Sequence, residues 1–189
     1  MTLSIGEKVI YPSHGPCLIG AVVNKLVGGM STAFYRLAPI EDSGGELFIP
    51  VNNIKGSGIR QLLGRSEIPK LLSRLSQEAK STTLPTTARN WKQRATDHAK
   101  LLASGSAFDL AEIVESLTEL NETKALAPHD RQTLERAKKL LVCEIAEVLG
   151  ESKSAAEQHV DKALQGRKAG SEGARKTISP LTPPMREQE

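Results

Sequence analysis

Four histidines, two cysteines and one tryptophan are the side chains from which chemistry could be built in this 189-residue chain. His14, His98, His129 and His159 are scattered along the sequence, and zinc needs three or four ligands at suitable spacing. No such set exists, so neither a metal nor a cofactor is expected. His14 lies three residues before Cys17, which leaves a thiol-dependent enzyme as one reading. Neighbours in a turn seldom face each other, however, and no third group is placed to orient the pair. Gly28-Gly29 and Gly44-Gly45 lack the spacing of phosphate-binding loops. Trp91 sits in Arg89-Asn90-Trp91-Lys92-Gln93-Arg94. Basic groups beside an amphipathic ring suit a phosphate backbone, with the ring free to stack or wedge against bases. The same ring could pack under a long C-terminal helix, since Trp91, Ala95, Ala99 and Leu102 share one helical face. Both readings stand at this level.

Charge distribution sharpens the first of them. The net charge is only +3. Residues 64–106 nevertheless carry 8 basic and 3 acidic groups, whereas residues 107–165 carry 7 basic and 12 acidic. Potential is concentrated where the total conceals it. No apolar run approaches the roughly 18 residues of a membrane span, and the N-terminus has no secretory pattern. A cytoplasmic location without membrane contact is expected. Aromatic residues are 3% of the chain, so the core must be aliphatic.

The elements that position these residues fall into two kinds. Val9–Tyr11, Cys17–Val27, Ala33–Ile40 and Leu47–Val51 read as short strands, with a tight hairpin turn at Gly28-Gly29. This predicts a small antiparallel Tudor/SH3-like β-barrel over residues 1–63, with Pro50 at an edge or strand end. From residue 66 the period becomes helical. Ser66 caps Ile68–Leu75, Ser81–Thr87 is a linker, and Thr87 caps a helix through Ala103. Ser106 with Asp109 predicts a capping box for a helix to Leu120. Pro128 opens a long helix ending near Gly150, and Ser154 with Glu157 opens a last one to about Leu164. The fold class is α+β: a β-barrel, an all-helical domain over residues 64–165, and a disordered tail over residues 166–189.

At this point the chain resembles a known family. Gly6-Glu7-Lys8-Val9-Ile10-Tyr11-Pro12-Ser13-His14-Gly15 is similar to the G-D-x-V-V-Y-P-x-H-G opening of the CarD/CdnL family of bacterial transcription factors. Phe48-Ile49-Pro50-Val51-Asn52-Asn53 with Ser57-Gly58-Ile59-Arg60 resembles its V-P-x-x-N and V-G-[VL]-R segments. Trp91-Lys92-Gln93-Arg94 resembles W-x-x-R, and Leu102-Ala103-Ser104-Gly105-Ser106 resembles L-A-S-G-D. Leu110–Leu117 and Arg136–Glu144 follow two further motifs in order. The first 63 residues also look like the polymerase-interacting module of the transcription-repair coupling factor, which lacks the helical half.

The resemblance implies a monomeric, non-enzymatic regulator that docks on the RNA polymerase β subunit and contacts promoter DNA at the upstream edge of the bubble. Trp91 would be the minor-groove wedge that favours the open complex. Arg94, Lys92, Arg89 and Arg131 would contact DNA, and Lys25 and Phe48 would contact polymerase. Phe48 stands where some relatives carry Arg, and Thr96 where relatives carry a basic residue. The alternative is therefore a polymerase-interaction module without wedge activity.

Overall fold

The computed structural model describes residues 3–41, 45–76 and 91–176, with side chains as far as residue 167. Strands β1 (Lys8–Tyr11), β2 (Gly15–Val27), β3 (Met30–Pro39), β4 (Leu47–Pro50) and β5 (Arg60–Gln61) form one antiparallel sheet in the order β4-β3-β2-β1-β5. The β2–β3 hairpin turns at Gly28 and Gly29, whose φ angles of 59° and 83° are the left-handed values that such a turn requires. Its ladder is interrupted between Ile19 and Val22 by a bulge. Val9, Cys17, Ile19, Leu37 and Ile49 pack a small core, and Pro50 ends an edge strand where its missing N–H costs nothing. The expected barrel is not closed, because β4 and β5 are not paired with each other. Closure needs strands long enough to stagger around an axis; β4 has four residues and β5 two.

Among the described residues five α-helices follow: α1 (Ile68–Ser76), α2 (Trp91–Ser104), α3 (Ala107–Thr123), α4 (Pro128–Leu149) and α5 (Lys153–Lys176). Their common core is aliphatic, with Leu71, Leu75, Ile113, Leu117, Leu141, Ile145 and Val160 almost wholly buried. Pro128 begins α4, and Gly150 ends it at φ 71°. Three of the expected caps are built differently. The Glu67 carboxylate, not Ser66, accepts a bond from Gly64 N–H before α1. Ser104 rather than Ser106 bonds Asp109, and Ser152 rather than Ser154 caps α5. The last helix does not stop at Leu164. Its backbone is helical to Lys176, and Arg167 lies against Glu115 and Glu119 of α3, so the chain does not leave the fold at residue 166. The expected Ser81–Thr87 linker and residues 177–189 lie outside the described residues.

The sheet and the helices meet along α4. The Arg60 guanidinium donates to both Glu144 carboxylate oxygens at 2.6 Å and, through Nε, to the Gly105 carbonyl at 2.8 Å. Leu63 N–H donates to Glu144 as well, at 3.1 Å. Glu144 is 1% exposed. Burial of a carboxylate is tolerated only with such compensation. Gly105 is required here: its φ is 68°, and a Cβ would meet Pro12 at 3.3 Å. Lys8–Glu147 at 2.6 Å, Lys139–Glu41 at 2.9 Å and a close Lys153–Glu41 pair extend the junction.

Candidate nucleic-acid and partner interface

Trp91 is 65% exposed, which sets aside packing under the C-terminal helix. It opens the described part of α2, with Lys92 exposed beside it and the Lys92 ammonium 5.6 Å from the ring centroid. The buried face of α2 is not the apolar face that the sequence suggests. Ala99 is exposed, and the two buried residues of the helix are Arg94 and His98.

Arg94 therefore does not stand on a basic surface. It is 8% exposed, and its guanidinium donates to the Asp130 carboxylate of α4 at 2.8 Å. The expectation of a DNA contact assumed that a cation next to Trp91 shares its solvent exposure. Three residues along a helix turn the side chain about 60° from the ring, and that rotation points Arg94 at α4. His98, one turn further on, is buried, which pushes its imidazole below the ordinary value; Asp130 and Asp97 favour its charge, while Arg94 and His129 oppose it. Arg94 Nε and His98 Nδ1 find no hydrogen-bond partner.

Arg131 immediately follows Asp130 in the first turn of α4 and is exposed. The Arg94–Asp130 pair thus brings the Trp91 helix to the turn that carries Arg131. Thr96 is exposed and bonds back to the Lys92 carbonyl at 3.0 Å, adding no charge to this surface. Arg89 lies outside the described residues.

The two residues assigned to polymerase contact come together on the sheet. Lys25 of β2 reaches across β3 and sets its ammonium 3.0 Å from the centroid of the Phe48 ring in β4. A cation over an aromatic face is attracted by the ring quadrupole, so Phe48 presents Lys25 instead of competing with it. Beyond them the hairpin end exposes Leu26, Val27 and Met30 at 79%, 53% and 73%. These apolar residues were not singled out from the sequence. The signal was present in their position beside Gly28-Gly29, where a strand leaves its sheet and cannot bury both faces.

The thiol reading loses its geometry. Cys17 is fully buried between Val9 and Pro39, and burial pushes its thiol up to about 11. His14 is exposed, and its Nδ1 lies 3.2 Å from the Pro12 carbonyl. Cys143 is also buried; burial and the Glu41 carboxylate raise it to about 12. Thiols in such settings are poor nucleophiles. Among the described residues, no group of three or more His, Cys, Asp or Glu side chains could hold a metal ion. No described helix is long and apolar enough to cross a membrane.

Comparison with known proteins agrees with this division into a sheet and a helical half. Residues 3–63 match the CarD-like/TRCF RID domain, and residues 70–161 match the CarD C-terminal domain. YdeB of Bacillus subtilis, named as a candidate transcription factor, is 25% identical over 146 residues, covering 77% of this chain and 92% of its own length. Both halves and their order are those of one group of transcription regulators, and the chain belongs to the CarD/CdnL family.

Proposed function

We propose that the protein binds the RNA polymerase β subunit through its sheet and stabilises the promoter open complex through Trp91. The observation that carries this reading is the exposed indole, held on a helix whose neighbouring surface offers Lys92 and Arg131. An apolar wedge inserts most favourably where base steps are already unstacked. It therefore binds melted DNA better than closed duplex, and a ligand shifts an equilibrium by its differential affinity for the two states. A difference of about 1.4 kcal/mol shifts it roughly tenfold. Phosphate contacts by Lys92 and Arg131 position the ring without reading sequence.

Recruitment through the sheet makes weak DNA affinity sufficient, because tethering raises local concentration. The Lys25–Phe48 pair and the apolar hairpin end supply a charged and an apolar element for that contact. With Arg94 committed to Asp130, about two phosphate contacts remain on described residues, and the salt slope for DNA binding is about −2 on a log–log scale. The protein then acts on the nucleoid wherever polymerase is. The test is the lifetime of a promoter open complex challenged with competitor DNA, for wild type and Trp91→Ala. A shortened lifetime with unchanged polymerase binding supports the reading; an unchanged lifetime in a folded variant rejects it.

A further inference from the structure

We propose that Arg94 is a positioning residue, and that its buried ion pair with Asp130 sets the direction of Trp91 and its spacing from Arg131; this rests on the wedge reading above. The first two turns of α2 bury no apolar side chain. Trp91, Lys92 and Gln93 are exposed, Ala95 is half-buried, and the buried positions are Arg94 and His98. The apolar anchors of the helix, Leu101 and Leu102, belong to its last turns. A helix held only at its C-terminal end frays at the other, because each lost turn forfeits little buried surface. Among the described residues, the Arg94–Asp130 bond, 2.8 Å long and with both side chains less than 10% exposed, ties the Trp91 turn to α4.

Geometry makes that tie specific. Residues three apart on a helix are neighbours on its surface, so orienting Arg94 orients Trp91. Asp130 is in the first turn of α4, where a carboxylate is favoured by the helix dipole. It precedes Arg131 directly, so one bond relates the ring to the cation expected on the phosphate backbone. A wedge must enter a base step at a defined angle, whereas a salt bridge to phosphate tolerates more freedom.

Two roles for Arg94 predict opposite outcomes for Asp130→Asn. This change leaves the Arg94 charge in place and weakens its tie, since a neutral amide replaces the carboxylate. If Arg94 contacts DNA, the open complex is unchanged or longer-lived. If Arg94 positions Trp91, the lifetime falls about threefold to tenfold, a usual range for coupling through an intermediate residue. Trp91 is the sole tryptophan, so its fluorescence anisotropy in the free full-length protein reads the turn directly. The anisotropy falls in Asp130→Asn and in Arg94→Met. It recovers in Arg94→Met/Asp130→Leu, where apolar packing replaces a buried pair, and the lifetime recovers with it.

Wild-type anisotropy and lifetime in a folded Asp130→Asn variant overturn the proposal. So does a double variant with native anisotropy that remains as defective as Arg94→Met, since Arg94 then acts on DNA itself. Should Asp130→Asn not fold, Arg94→Met and the double variant decide by the same two measurements. Failure of the wedge reading is distinguishable. In that case Trp91→Ala leaves the lifetime unchanged, while the anisotropy series still reports whether the pair holds the helix.

Discussion

Two arginine–carboxylate pairs, each with a buried carboxylate, join parts of this molecule, and they are built to different standards. At the junction of sheet and helices, Arg60 and Glu144 share two bonds of 2.6 Å, and the Gly105 carbonyl and Leu63 N–H take up further capacity. At the Trp91 helix, Arg94 and Asp130 share one bond of 2.8 Å, while Arg94 Nε and His98 Nδ1 find no partner. A saturated polar network in a low-dielectric setting resists rearrangement; a partly satisfied one has less to lose by moving. The first pair joins the sheet firmly to α4. The second, with unpartnered atoms beside it, holds the described start of α2 through one bond.

Glu144→Ala has the largest expected effect. Removing the carboxylate strands Arg60 and Leu63 N–H, and breaking a buried pair costs about 3–5 kcal/mol. Denaturant unfolding checks this; a loss under about 1 kcal/mol means that the junction is held by something else. Asp130→Asn ranks second, at about 1–3 kcal/mol, because a neutral amide still offers an oxygen to Arg94. Hydrogen exchange separates the two variants. Asp130→Asn speeds exchange in α2 alone, and Glu144→Ala speeds it on both sides of the junction.

Acid sharpens the contrast without any substitution. Burial holds His98 below its ordinary value of 6.5, so the unfolded chain takes up a proton that the folded chain refuses. Stability therefore falls as pH drops below 6.5, and levels off once the folded imidazole is also protonated. A protonated His98 meets Arg94 and His129 as like charges and Asp130 and Asp97 as opposite ones, so the α2 end responds first. Glu41 behaves otherwise. Burial raises it, but hydrogen bonds from Lys153 and Lys139 outweigh that and hold it near 2, so its contribution is present above 4.5 and is lost as pH falls towards 2. Trp91 anisotropy should decline in the first window and melting temperature more steeply in the second; His98→Gln abolishes only the first change.

Trp91→Ala has the smallest expected effect on the fold. At 65% exposure its removal costs under about 1 kcal/mol, and the melting temperature stays within a few degrees. A loss nearer 3–5 kcal/mol, as for a core aromatic, would show that the ring is packed in solution.

Part of the candidate site was legible in the chain alone. Trp91 among basic residues, in a chain with six aromatic side chains, stands out as a candidate, and its ring is exposed. Lys25 and Phe48 were named separately, yet their contact depends on β3 lying between their strands, an arrangement that no local pattern encodes. The burial of Arg94 was not legible because periodicity identifies an apolar face, and α2 buries a polar one. Its first turns face Asp130 instead of leucines, so hydropathy points the wrong way round the helix.

Whatever depends on a few adjacent residues follows from the chain's local chemistry. Gly28-Gly29 supplies the positive φ values of the hairpin, Pro128 and Gly150 bound the long helix, and the excess of Lys and Arg around Trp91 creates its potential. Tertiary structure alone decided which of those cations meets solvent. Lys92 and Arg94 are two residues apart and alike in charge, but only Arg94 faces α4, where a carboxylate 36 residues away accepts its bond. A buried charge persists only where an opposite charge is brought to it, and that placement belongs to the packing of α2 against α4.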